Sequence, residues 1–446
     1  MTDSLLITNA RMVNEGEVTE GDLLVRDGRI ERLGGAIDAE AAKVIDAAGR
    51  LLMPGMIDDQ VHFREPGLTH KGDLATESRA AIAGGITSFF EMPNTSPPAV
   101  DAASVEFKYG LAAGRASANY AFYLGATNTN ADEVRRIDPN AVAGVKIFMG
   151  ASTGDMLVDN PKALEALFEG ARTVVTTHCE DTPTIQAATK AAVERWGADI
   201  PPEAHIEIRS REACLKSSTL AVGLAKRYGT KLHVLHLTTA DELDLFEPGP
   251  IEDKQITLEV CAHHLYFSRP DYATAGNRIK CNPAIKEESD RAALLAALAE
   301  DRIDIIATDH APHLPAEKDG PYMQAAAGLP LVQDVLPSLF RHVHEGHFDM
   351  TRLVEKVCHN PARRFDVVDR GFLREGYWAD LVLIDPEARY TVDDARVLSR
   401  CGWSPFAGRE MTARVDLTVV SGVVAYADGE VVTTGAGRRL DFDRDV

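Results

Sequence analysis

The chain has 446 residues, with 47 Lys and Arg against 68 Asp and Glu, a formal net charge of -21 and 45% hydrophobic residues. That balance excludes a disordered, collagenous or small disulfide-stapled chain. So strong a negative charge repels phosphate and argues against nucleic acid or an anionic membrane as partner.

The first ~50 residues read as short strands. SLLITNARMV, DLLVRDGRIERLG and KVIDAAGRLLMPG are brief apolar runs cut by Asn-Ala, Asp-Gly and Ala-Gly turns. From residue 57 the pattern changes. Eight short β-branched or aromatic runs follow: IDDQVH (57–62), ITSFFEM (86–92), NYAFYLGA (119–126), GVKIFMG (144–150), TVVTTH (173–178), KLHVLHL (231–237), ITLEV (256–260) and DIIATDH (304–310). Stretches such as GDLATESRAAIAGG and RAALLAALAEDR separate them with helical spacing. Eight alternating βα units are the number that closes a TIM barrel, so the expected fold is α/β, a (β/α)8 barrel over residues 55–374. ADLVLIDP and LTVVSGVVAYADGEVV return to short strands. Residues 1–54 and 375–446 are expected to pack together as a small β-sandwich, with a loose polar tail after ~430.

Six cysteines without a CxxC pair read as reduced thiols of a cytoplasmic protein. MTDSLLITNARMV carries no basic leader segment, and no apolar stretch approaches the ~18 residues of a membrane helix.

Five unusual residues fall at or near the C-terminal ends of the barrel strands: His62, Lys146, His178, His236 and Asp309. Those ends converge on one mouth, where barrel active sites are built. Imidazoles and a carboxylate suit a borderline divalent metal such as zinc. Lys146 lies inside an apolar strand, between Val145 and Ile147. A bare ammonium there is costly unless it is paired or modified. A CO2-derived carbamate would make it an oxygen ligand; a neighbouring acid would satisfy it equally well.

At these residues the sequence resembles the dihydroorotases of the amidohydrolase superfamily. QVHFREPG (60–67) is similar to their HxHxREPG, and EMPNTSPP (91–98) to their MPNT segment. GVKIFMG, HCED (178–181), HVLHLTT (233–239), KCNPAIK (280–286), ATDHAPHLPAEK (307–318), HNPARRF (359–365) and GYWADLVLID (376–385) fit further blocks. The resemblance implies zinc, one or two ions per subunit, held by His62, carbamylated Lys146, His178, His236 and Asp309. It implies metal-assisted opening and closing of a cyclic amide, with Asp309 carrying the proton to and from the ring nitrogen. The biosynthetic direction closes N-carbamoyl-aspartate to dihydroorotate, on the route to pyrimidines. Arg64, Asn94 and His313 are the implied carboxylate-binding residues, and Asn282 the implied ring contact. Arg64 could instead pair with Glu65, and Asn94 and Asn282 could be turn residues. Allantoinases and hydantoinases share the chemistry but usually lack the arginine. A small-molecule substrate, a homodimer and association with aspartate carbamoyltransferase complete the implied partners.

One departure stands out. Gln60 occupies the place of the first histidine in HxH, and an amide oxygen is a poorer zinc ligand than imidazole. A mononuclear centre, a binuclear centre with Gln60 or water filling in, and a non-catalytic relative all follow as alternatives. AAAGLPLVQD (325–334) also lacks the Gly-Glu pair expected there, although the backbone near Gly328 is expected to line the ring. His263 and His264, read as part of a strand, would face opposite ways, so at most one could enter the mouth. His310 is expected to pack outside and Cys179 to point away from the site. His342, His344 and His347 read as surface residues at a helix end.

Overall fold

In the computed structural model, which describes residues 4–150 and 156–444, both ends of the chain enter one sheet. The start of the chain supplies β1 (Ser4–Asn14), β2 (Glu17–Arg26), β3 (Arg29–Gly34), β4 (Lys43–Asp46) and β5 (Leu51–Pro54). The barrel strands follow: β6 (Met56–Val61), β7 (Ile86–Glu91), β8 (Asn119–Phe122) with its continuation β9 (Leu124–Gly125), β10 (Val145–Met149), β11 (Val175–Cys179), β12 (Leu232–Val234), β13 (Ile256–Cys261) and β14 (Ile305–Ala307). The chain then returns through β15 (Leu381–Asp385), a small ribbon of β16 (Tyr390–Thr391) and β17 (Glu410–Met411), then β18 (Arg414–Val420), β19 (Val423–Ala427) and β20 (Glu430–Val431).

Each of the eight expected runs forms a barrel strand. Neighbours pair in parallel from β6 to β8 and from β9 to β14. A parallel bridge between Val61 and His310, with His62 N–H donating to His310 O at 2.7 Å, closes the ring. The third strand breaks at Tyr123, whose hydroxyl donates across the interior to Asp59 O at 2.9 Å.

The flanking strands make one hydrogen-bonded sheet, in the order β20-β19-β18-β15-β5-β1-β2-β3 with β4 beside β1, where two packed sheets were expected. The reason is the antiparallel pairing of β5 with β15, which joins the two ends of the chain edge to edge. Strand alternation splits this sheet between two cores. Leu51, Met53, Val382 and Ile384 face the barrel core, whereas Leu52, Leu381 and Leu383 face a second core with Leu5, Ile7, Leu23 and Val25. Its tight hairpins turn on paired positive-φ residues: Glu15-Gly16, Asp27-Gly28, Ser421-Gly422 and Asp428-Gly429.

The tail is not loose. Leu440, Phe442 and Arg444 are buried at alternate positions, and the guanidinium of Arg444 donates to the carbonyls of Val142 at 2.8 Å and Ala143 at 2.9 Å. Orphaned loop carbonyls beneath the barrel thus find a cation, and the polar residues between face outward. The six cysteines are buried and unpaired. Among the described residues no helix is long and apolar enough to cross a membrane.

Candidate active site

A cavity of about 670 Å³ opens at the C-terminal ends of the barrel strands. Gln60, His62, Arg64, Asn94, Lys146, His178, His236, Asn282, Asp309 and His313, the full set singled out in the sequence, line it together. Three of them, Arg64 (φ +72°), His236 (φ +40°) and Asp309 (φ +50°), adopt left-handed backbone conformations that L residues avoid. Such strain concentrates at sites where the surrounding fold fixes side-chain direction.

On one side, Asp309 Oδ1 accepts from Gln60 Nε2 at 3.0 Å and lies 3.1 Å from His62 Nε2. Burial pushes the Asp309 carboxyl up, but the bond and charge of His62 hold it below its ordinary value. His62 Nδ1 is 2.8 Å from Asn94 Oδ1, so the asparagine fixes the ring. On the other side, His178 Nδ1 and His236 Nε2 face each other at 3.0 Å. Burial lowers the pKa of both imidazoles, which favours their neutral forms.

His178 is oriented from behind. Its Nε2 is 3.0 Å from Glu180 Oε2, which also takes a charge-assisted bond from Arg209. A carboxylate holding the far nitrogen of a ligating histidine is the usual outer layer of a metal site. Glu180 and Arg209 were not singled out in the sequence. Glu180 lies just past the end of β11, where strand alternation does not place it, and Arg209 carried no signal either.

Lys146 is 1% exposed, and its Nζ has no hydrogen-bond partner among the described residues; it lies 4.7 Å from the Phe148 ring centre. Burial lowers its pKa to about 8, so a reactive free amine is accessible near neutral pH. The donor set therefore fits a divalent metal: two neutral imidazole nitrogens separated by roughly one edge of a zinc tetrahedron, beside a lysine able to carry a carbamate. Gln60 fits less well, because it presents an N–H to Asp309 while its Oε1 is buried without a partner among the described residues.

The far wall is cationic. Arg64 Nε donates to Pro312 O at 3.2 Å, and Nη2 lies 3.1 Å from His313 Nε2. Lys71 Nζ is 3.0 Å from His313 Nδ1 and 2.8 Å from Glu317 Oε1. Burial and the neighbouring cations hold His313 neutral, far below its ordinary pKa. Glu65 does not pair with Arg64; it binds Arg115 at 2.9 Å. Asn282 lines the wall with its amide turned to Cys281 O at 3.1 Å and Arg209 Nη2 at 3.0 Å.

Gly328 reaches the cavity at φ +140°, where an added Cβ would lie 2.6 Å from Ala311 O. Lys318 anchors this loop by donating to Lys280 O, Ala326 O and Gly328 O at 2.8–2.9 Å.

The remaining histidines fall elsewhere. His263 and His264 are both buried in a short helix, Ala262–Tyr266, so strand alternation does not govern them, and neither lines the cavity. His310 packs outward, 2.9 Å from Glu77 Oε2, and Cys179 bonds Thr177 Oγ1 away from the cavity. His342 is buried rather than on the surface, while His344 and His347 are exposed.

Known proteins share this architecture. The chain is 33% identical over 437 residues to a dihydroorotase of Halobacterium salinarum, covering 96% of this chain and 99% of that one. It is 28% identical over 449 residues to an allantoinase of Desulfitobacterium hafniense, covering 98% of each. The solved structure of an L-hydantoinase (dihydropyrimidinase) from Arthrobacter aurescens superposes with a TM-score of 0.92 at 29% identity, covering 99% of this chain and all of that one. A family model described as "Amidohydrolase family" matches residues 51–425. That span takes in the whole barrel and the central strands of the flanking sheet, and the chain belongs to the amidohydrolase family of hydrolases.

Proposed function

We propose that this hydrolase is a dihydroorotase, interconverting N-carbamoyl-L-aspartate and L-dihydroorotate. One observation carries the reading. Arg64 is a buried guanidinium at the cavity wall, and among the described residues no carboxylate lies within ion-pairing distance of it. A buried cation without a counter-ion is costly, and a planar guanidinium is matched by a carboxylate. Dihydroorotate carries one; the rings of hydantoin and allantoin do not.

The roles follow from the geometry. Arg64 binds the substrate carboxylate, with His313 and Lys71 fixing its approach. Asn94 holds His62, and His62 holds Asp309. Asp309, kept ionised, accepts a proton from the attacking water and delivers it to the departing ring nitrogen; in closure it runs in reverse. A divalent ion such as zinc, held by His178, His236 and a carbamate on Lys146, would lower the pKa of water and polarise the ring carbonyl. Glu180 and Arg209 keep His178 aimed at that position.

The test is ring opening by purified protein supplied with zinc and bicarbonate. Turnover of dihydroorotate, with hydantoin, allantoin and dihydrouracil left intact, supports the reading. Preference for an uncharged ring assigns the chain to allantoinase or hydantoinase chemistry. No turnover by folded, metal-loaded protein favours a non-catalytic relative, and mixing with aspartate carbamoyltransferase then becomes the next experiment.

A further inference from the structure

His342, Glu345 and His347 come together at the C-terminal end of the helix Val335–His344. The backbone there brings them into register. Gly346 adopts φ +79°, its N–H reaches Val343 O at 3.1 Å, and the N–H of His347 reaches His342 O at 3.0 Å. This is the Schellman ending, which sets the side chains of its first and last residues against each other. In most proteins that pair is apolar. Here both members are imidazoles, and Glu345 lies beside them. Glu345 Oε1 accepts from Arg341 Nε at 2.8 Å. Its Oε2 remains, 3.5 Å from His347 Nε2 and 3.7 Å from His342 Nδ1.

We propose that His342, Glu345 and His347 form a site for a borderline divalent cation such as zinc, separate from the barrel cavity. Two imidazole nitrogens and one carboxylate oxygen would hold the ion, with a fourth position open to water. The two carboxylate–imidazole separations are close to the ~3.3–3.5 Å edges of a tetrahedral zinc site, and all three ligand atoms lie within 4.8 Å of one another. His342 is 1% exposed, yet neither ring nitrogen has a hydrogen-bond partner among the described residues. A buried polar ring so placed calls for a ligand. Burial lowers its pKa to about 4, so the imidazole is neutral and offers a lone pair. Arg341 orients the carboxylate from outside, as outer partners of metal ligands do. The negative end of the helix dipole adds to the attraction for a cation. Ions also have a way in, because the side chains of Glu345 and His347 are 38% and 41% exposed. Two other clusters, Asp59–His233–Glu259 and Cys261–His263–His264, are wholly buried and offer no such entry.

The experiment is a zinc titration of chelator-stripped full-length protein, counting bound zinc per chain by calorimetry and by equilibrium dialysis. His347→Ala and Glu345→Gln change exposed side chains, so both variants keep the fold. Each is expected to bind one zinc fewer than the parent, whatever number the barrel holds. His342→Gln should show the same loss. Equal stoichiometry and affinity in the parent and the variants would overturn the proposal.

Discussion

Gln60 donates its amide N–H to Asp309 Oδ1 at 3.0 Å, across 249 positions of sequence. The same oxygen lies 3.1 Å from His62 Nε2. An amide N–H cannot coordinate a cation, and this one holds Asp309. Gln60→His is therefore expected to raise bound zinc by one equivalent per chain, read by elemental analysis after gel filtration. An unchanged zinc content would show that residue 60 does not limit the metal count.

Arg64 should set substrate choice. Arg64→Ala is expected to lower kcat/KM for dihydroorotate by 10²–10³, the ~3–4 kcal/mol typical of truncating one partner of a buried charge pair. Arg64→Lys keeps the charge but not the planar fork, and should recover only part of it. Steady-state kinetics on dihydroorotate decide the matter; wild-type values for Arg64→Ala would remove the carboxylate assignment.

Glu180 should act through His178. Glu180→Gln keeps the volume and loses the charge that Arg209 and His178 share. Zinc affinity is expected to weaken by 10–100-fold, as for other outer-layer partners. Competition against a chromophoric chelator measures it, and an unaltered affinity would reduce Glu180 to a structural ion pair.

Stability should carry a mark of Asp334. Burial raises this carboxyl to about 6, aided by Asp394 and opposed by the hydroxyl of Ser404, which donates to it at 2.6 Å. Below the unfolded value of 3.8 both states hold the proton and the contribution is fully present. As pH rises through about 6 the folded carboxyl must ionise in a buried setting, and the contribution is lost. Asp334→Asn mimics the protonated form. It is expected to gain up to ~3 kcal/mol over the parent at pH 8 and little at pH 4, seen in the gap between their melting temperatures. A gap that does not change with pH would count against it.

Much of this was legible in the sequence because β-branched runs and strand-end histidines obey local rules. All eight barrel strands follow from run length, and His62, Lys146, His178, His236 and Asp309 from position at strand ends, whereas Gln60, Arg64, Asn94, Asn282 and His313 were reached through the resemblance to dihydroorotases. The misses arise where partners are distant. Position alone does not tell that Arg209 backs Glu180, because their meeting depends on the packed helix–strand register. His263 and His264 were misplaced because the chain leaves strand geometry after Cys261, two positions before His263, and enters the helix Ala262–Tyr266. The tail looked loose because its charges mask the alternation of Leu440, Phe442 and Arg444, and the carbonyls that give that arginine a reason to be buried, those of Pro139, Val142, Ala143 and Phe365, are distant in sequence.

The pairing of β5 with β15 also sets an order of events during synthesis. β5 must wait for a partner strand made some 330 residues later. At ordinary elongation rates that interval is on the order of half a minute. Throughout it, an apolar strand edge next to β6 stands open while the ring beside it is being completed. The nascent chain is thus most vulnerable to unwanted strand pairing just before β15 is made, and a break ahead of Leu381 would leave that edge permanently exposed to other chains.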